Sequence, residues 1–316
     1  MSTTLQPTAP GRAAGARPLV VLAGATGDLG HRIALALLGR GAEVRALVRP
    51  GNTKPEVGTL RAHGAAIVEV DFNDAAALTR ACADATCVVS ALSGLREVIV
   101  DAQTQLLAAA VAAGVPRFIP SDFAIDYTKL PEGSNRNLDL RREFNRRLDQ
   151  APIRATSVLN GMFMDLLTGQ APVVLFKLKR ILYWGSADQP LDFTTIADTA
   201  AFTAAAALDT TTPRYLRVAG EVATVRDLQA AATAATGQRF RRLRAGGLWL
   251  LKLMIRITRR VAPAPKEVFP PWQGMQYLHN MFTGRPKLVP LDNDRYPDLR
   301  WTNVQELLAT RGQQTH

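Results

Sequence analysis

The chain has few residues suited to holding a metal or closing a disulfide: two cysteines and four histidines among 316 residues. Cys82 and Cys87 flank a turn with no metal-ligating partner at useful spacing, so they read as reduced thiols in or near the core. His31, His63, His279 and His316 are scattered, and no metal site is expected. Residues 1–17 are rich in Ala, Thr, Pro and Gly and lack the apolar centre of a secretory signal, so they read as a disordered leader on a cytoplasmic protein. No apolar run reaches the ~20 residues that a membrane-crossing helix needs, and no transmembrane segment is expected. Lysine is scarce as well, and the net charge of +11 and pI of about 10.2 rest mainly on arginine. With the abundance of alanine this reads as coding bias. The clusters Arg141, Arg142, Arg146, Arg147 and Arg239, Arg241, Arg242, Arg244 come without a recognisable nucleic-acid module, and a nucleic-acid partner is not expected.

What the sequence does contain is an apolar strand, Leu19 to Ala23, running into the turn Gly24-Ala25-Thr26-Gly27-Asp28-Leu29-Gly30 and then into helix-forming Ile33, Ala34, Leu35, Leu37 and Leu38. Gly24 permits a tight turn, Gly27 lets backbone N–H groups approach a phosphate, and Gly30 lets the helix pack close to the strand with its positive end toward an anion. A second strand, Val44 to Val48, follows one βαβ length later. This is where a dinucleotide's pyrophosphate would sit, with Thr26, Asp28 and Leu29 in the same turn. The second strand lacks the Asp or Glu that would bond the ribose hydroxyls of NAD and ends instead in Arg49. A guanidinium suits the 2′-phosphate of NADP, with Lys54 as a second cation; the plainer reading is a solvated arginine at a strand end.

Strand and helix signals alternate from residue 18 to about 120, with strands near 19–23, 44–48, 66–70, 86–90 and 117–119. The fold class expected is α/β, a Rossmann-type doubly wound parallel sheet. The clearest helix runs from about 97 to 113 and stops at Gly114. A basic helix over about 135–150 follows, then a run from Arg154 to Leu159 that should extend the same sheet. Next come a strand pair around Ile181–Trp184 and Leu191–Phe193, and a helix capped by Thr195, with Asp198 in a structural role. The organisation expected is a nucleotide-binding domain over 18–160 and, over 161–316, a smaller, mainly helical substrate cap with some segments returning to the main sheet. Residues 246–261 spell an amphipathic helix with Lys252, Arg256, Arg259 and Arg260 on one face. It reads as a cap over an apolar substrate pocket rather than as a membrane-surface helix.

Reacting groups of an open α/β sheet collect beyond the carboxyl ends of its strands. After the third strand, Asp71 is placed to accept from an adenine amino group with Phe72 beside the ring, or simply to cap the next helix. After the fourth, Ser90, Ala91 and Leu92 offer a surface for the ribose or nicotinamide half of a cofactor. The fifth strand leads into Ser121, Asp122, Phe123 and Tyr127, where Tyr127 is either a proton donor or an aromatic packed under the cap.

The Gly24–Gly30 run, Val48-Arg49, Val70-Asp71, Val89-Ser90-Ala91, Thr156 to Phe163 and above all Arg117-Phe118-Ile119-Pro120-Ser121-Asp122-Phe123 resemble the NmrA-like and isoflavone-reductase-like atypical short-chain dehydrogenases. The resemblance covers roughly residues 18–310. It implies NADPH as cofactor, with Ser121, Asp122 and Phe123 beside it. It also implies that Asn160 and Phe163 meet nicotinamide and substrate, although Phe163 on its own reads equally well as core. Reductases of this family carry a lysine on the helix after the Pro-Ser-Glu/Asp-Phe loop, and that position falls at Arg141. Arginine hardly gives up a proton, so Arg141 is expected to anchor or polarise a substrate oxygen, with Tyr127, Asp122, Lys129 or water as acid. The Tyr-x-x-x-Lys pair of classical short-chain dehydrogenases is absent. The expectation is an NADPH-dependent reductase, monomer or homodimer, acting on a small apolar, aromatic or quinone-like carbonyl or activated alkene. The alternatives are an NADP(H)-sensing regulator without turnover and a non-redox isomerase or cyclase.

Overall fold

The structure, a computed structural model, describes residues 17–314, with side chains to residue 310. The expected leader lies, but for Arg17, outside the described residues. Strands β1 (Leu19–Ala23), β2 (Glu43–Val48), β3 (Ala66–Glu69), β4 (Cys87–Ser90), β5 (Arg117–Ile119) and β6 (Arg154–Ala155) form one sheet in the order β3-β2-β1-β4-β5-β6. Every pairing in it is parallel. The crossovers carry α1 (Asp28–Gly39), α2 (Pro55–Ala62), α3 (Ala75–Cys82), α4 (Gln103–Ala112) and α5 (Arg136–Leu148). Strand order reverses between β1 and β4, which puts the switch point, where such sheets take ligands, at the glycine turn.

Burial explains why β1 is apolar throughout and β4 is apolar up to Ser90 at its end. Val20 and Leu22 of β1 pack with Ile33 and Leu37 of α1 on one face, while Leu19 and Val21 pack with Leu78 of α3 and Leu106 of α4 on the other. A sheet covered by helices on both sides needs continuous apolar strands rather than alternation. Cys82 and Cys87 belong to this interior as free, buried thiols; burial pushes Cys82 up to about 11 and Cys87 up to about 12. Thiolate is the reactive form, so the native protein at pH 8 should not react with Ellman's reagent at either cysteine, and both should react in urea. A fast native reaction would show that one thiol is accessible.

After Thr156 the last strand continues as β7 (Ser157–Leu159) and is followed by β8 (Met162–Phe163), β9 (Val174–Leu175), β10 (Arg180–Trp184) and β11 (Leu191–Thr194). Then come α6 (Ile196–Leu208), β12 (Tyr215–Arg217), β13 (Glu221–Ala223), α7 (Val225–Thr236), β14 (Arg241–Gly246), α8 (Leu248–Val261), α9 (Pro271–Phe282) and α10 (Val304–Gln314). β12 pairs in parallel with β7 in a separate two-stranded sheet, and the buried, alanine-rich α6 contributes Phe202 and Ala204 to the same core as α1. Thr195 caps α6 by accepting from the Asp198 amide at 2.9 Å. At its other end the buried guanidinium of Arg117 donates to the carbonyls of Ala206 and Ala207 and to the Thr212 hydroxyl, satisfying orphan acceptors with a cation at the negative helix end.

The remainder packs on a separate apolar cluster that includes Trp184, Phe193, Leu228, Leu251 and Met281. Two local readings change here. The segments 181–184 and 191–193 are strands but do not pair with each other: β10 lies between β14 and β9, and β11 between β13 and β8. The helix expected over 97–113 opens with a π-helical segment, Glu97–Ala102, before α4 begins. Both differences arise from long-range pairing and packing, which local periodicity does not encode.

Candidate nucleotide and substrate site

The glycine turn is shaped by two unavoidable contacts. Gly24 has φ +81°, and a Cβ there would lie 2.5 Å from the Ala91 carbonyl oxygen; at Gly30 a Cβ would lie 2.2 Å from the Gly24 oxygen. Packing therefore demands both glycines. Gly27 differs, because a Cβ there would meet nothing nearer than 3.4 Å. The protein's own packing does not require this glycine, whereas close approach of an anion to the backbone does. Gly27 is also the N-cap of α1 without a side-chain cap, and the first helical bond is His31 N–H to Gly27 O. The amides of Asp28, Leu29 and Gly30 thus precede any i−4 partner and, with the helix dipole, form a cradle for negative charge. These residues fit a dinucleotide pyrophosphate.

Arg49 follows β2 on the same edge of the sheet, exposed and with no ion-pair partner among the described residues. Its turn is held by Gly51 N–H donating to Glu69 Oε2 and by Lys54 N–H donating to Asn52 Oδ1. Exposed Asp71 accepts from Asn73 N–H at 2.9 Å, while the cap of α3 is Asp74, which accepts from Ala77 N–H. Asp71 is therefore not the helix cap. The next residue, half-buried Phe72, packs on the core under α3 and α4.

The loops after β4 and β5 are tied together: Ser121 Oγ donates to Leu92 O at 2.6 Å, and Ala91 N–H donates to Ala23 O. Gln103, missed in the sequence, is buried at the junction between the π-helical segment and α4. Its amide donates to Ile99 O and its Oε1 accepts from Ser121 N–H. No local pattern marks it, because an isolated glutamine on a helix is ordinarily a surface residue. Phe123 lies in the core against β1 and β4.

Asp122 and Tyr127, both read as candidate acids, lie within the wall. Asp122 is fully buried, and its Oδ2 accepts from Tyr127 Oη (2.9 Å), Asn145 Nδ2 (2.8 Å) and Ser157 Oγ (2.6 Å). Arg214 completes the network through Ser157 and Asn145. Tyr127 is 2% exposed, and burial followed by the Asp122 charge pushes its hydroxyl well above its ordinary pKa. Its proton is already committed to Asp122 and is not free for a substrate. Lys129 reaches away to the carbonyls of Lys287 and Val289 and to Asp126.

Arg141 stands where the family's lysine was expected, one face of α5 carrying it to the loop after β5. Its Nε donates to Ser121 O at 3.1 Å and its Nη1 to Asn137 O at 3.1 Å, leaving Nη2 without a partner among the described residues. Tyr277 of α9, another residue the sequence reading passed over, is half-buried within the field of Arg141 and Arg136. Burial raises its pKa, and the two guanidiniums oppose that rise. Asn160 is fully buried after β7, with neither amide atom partnered among the described residues; Ser90 Oγ and Asp122 Oδ1 share that condition. Orphaned polar atoms therefore gather where β4, β5 and β7 end. Phe163, half-buried, pairs through β8 with Thr194 of β11. Among the described residues no group of three or more His, Cys, Asp or Glu is placed to hold a metal, and no helix is long and apolar enough to cross a membrane.

The fold is an open, doubly wound α/β sheet with a glycine cradle at its switch point. The model of the NmrA-like family matches residues 17–271, and the chain belongs to that family. It is 33% identical over 172 residues to pinoresinol reductase 2 of Arabidopsis thaliana, a match covering 49% of this chain and 52% of that protein. The match to pinoresinol reductase 1 of the same plant is 31% over 205 residues, 58% and 63% of the two chains. The chain thus spans about half the length of the first and under two thirds of the second. The structure of AtPrR2 with NADP+ and (+)pinoresinol superposes with a TM-score of 0.79 over 94% of this chain and 100% of that one, at 24% identity, and shares its fold.

Proposed function

We propose that this protein is an NADPH-dependent reductase of a small apolar, aromatic or quinone-like carbonyl or activated alkene. The observation that carries the reading is the glycine cradle together with an Arg49 that has no ion-pair partner among the described residues, with Arg141 beside Ser121 on the same edge of the sheet. The reductases among its relatives, and a fold shared with a protein held with NADP+, support it. In this reading the amides of residues 28–30 bind the pyrophosphate and Arg49 the 2′-phosphate. Asp71 and Phe72 flank the adenine, and Ser90, Ala91, Leu92 and Ser121 line the path to the reaction centre. When bound, the reduced nicotinamide supplies a hydride.

Arg141 is held by two backbone carbonyls, so its Nη2, without a partner among the described residues, is preorganised to donate to a substrate oxygen as negative charge develops there. Tyr277 is our candidate proton donor, and Asn160 and Phe163 meet the substrate. Tyr127 and Asp122 hold the wall that positions them. Steady-state NADPH oxidation with an acceptor panel tests the assignment. Arg141→Ala should lower kcat about 100-fold, the scale of a lost oxyanion donor. Tyr277→Phe should lower it at least tenfold and Lys129→Ala less than twofold. Loss of activity in Lys129→Ala with cofactor binding intact would overturn the reading.

A further inference from the structure

Helix α8 is covered over only part of its apolar arc. Leu251 and Ile255 are buried against the cluster that includes α9, while the opposite flank presents Trp249, Leu253, Ile257 and Val261 to solvent at 72%, 43%, 53% and 79% exposure. These four residues recur every four positions and form a continuous stripe along the helix. Lys252, Arg256 and Arg260 run beside it, exposed and with no ion-pair partner among the described residues. A helix that only closed its own domain would turn this stripe inward; a tryptophan left almost three-quarters exposed needs another partner.

We infer that α8 is a docking surface for an anionic phospholipid membrane, on which the protein lies without crossing it. The choice of occupant rests on charge complementarity. An apolar stripe alone would suit a second copy of the chain as well, but two such helices facing each other would bring their parallel rows of cations together. An anionic bilayer accepts both features: the stripe enters the boundary between headgroups and acyl chains, and the cations meet lipid phosphates. Tryptophan at the head of the stripe is the side chain most suited to that depth. Periodicity alone would turn the whole apolar arc toward a substrate pocket; the structure turns half of it to solvent.

The test is sedimentation of the full chain with vesicles of phosphatidylcholine containing 30% phosphatidylserine, against vesicles of phosphatidylcholine alone, in physiological salt. Anionic vesicles should pellet the protein and neutral ones should not. Trp249 fluorescence should shift to the blue on binding, a change lost in Trp249→Phe. Lys252→Glu with Arg256→Glu should weaken binding at least tenfold, as should Leu253→Ser with Ile257→Ser. Because the whole chain is basic, Arg61→Glu with Arg80→Glu is the charge-matched comparison and should change binding less than twofold. Equal loss in that variant, binding without a Trp249 shift, or a concentration-dependent dimer abolished by Leu253→Ser with Ile257→Ser would overturn the proposal. Unchanged circular dichroism and NADPH affinity in each variant exclude unfolding as the cause.

Discussion

Asp122→Ala should lower the unfolding free energy by about 3–5 kcal/mol, the range for breaking a buried, hydrogen-bonded charge cluster by removing one member. Three donors converge on one oxygen of this carboxylate, from Tyr127, Asn145 and Ser157, and Arg214 reaches two of them. Truncation leaves the Tyr127 and Ser157 hydroxyls buried without their acceptor, while Asn145 keeps Tyr127 Oη and Arg141 O, and each unsatisfied group costs about 1–3 kcal/mol. Asp122→Asn is the informative companion. Its amide nitrogen can take the place of Oδ1, which has no partner among the described residues, so Oδ1 of the new side chain still accepts. The loss should then be well under half that of the alanine variant. Urea unfolding followed by circular dichroism measures both. A loss below about 1 kcal/mol in Asp122→Ala would mean that water replaces the carboxylate, and that the wall beneath Arg141 is softer than the structure implies.

Arg49→Ala should remove most of the preference for NADPH over NADH. A charge-assisted hydrogen bond contributes about 1.5–3 kcal/mol, roughly a 10- to 100-fold difference in affinity. The two dinucleotides differ only at the 2′-phosphate, so NADPH binding should weaken by that factor while NADH binding stays nearly constant. Gly27→Val should weaken both, because its side chain would fill the space left open above the turn. Calorimetric titration separates these outcomes. Equal wild-type affinities, or a loss in Arg49→Ala shared by NADH, would make Arg49 a solvated surface charge.

The parallel sheet was legible because its strands are buried on both faces and its helices announce themselves by caps and glycine stops. The glycine turn was legible because backbone sterics leave few residues able to stand at Gly24 and Gly30. Side-chain roles were harder. Tyr127 and Asp122 look like surface chemistry in a line of residues, and only the fold reveals that Asn145, Ser157 and Arg214 enclose them. Arg214 lies more than fifty residues from its partners, and no spacing rule connects them. Tyr277 had no signal, since its neighbourhood with Arg141 exists only once α9 packs near α5. The periodicity of α8 was correct, yet period alone does not say which half of an apolar arc the domain covers.

The central claim is hydride transfer from NADPH by this chain, and the direct measurement is a single turnover followed at 340 nm under anaerobic conditions. Enzyme loaded with NADPH is mixed with an aromatic, enone or quinone acceptor. The account predicts a saturable, acceptor-dependent loss of absorbance, slowed about 100-fold in Arg141→Ala. Tight NADPH binding with no absorbance change for any acceptor would contradict it and identify the protein as a sensor of NADP(H).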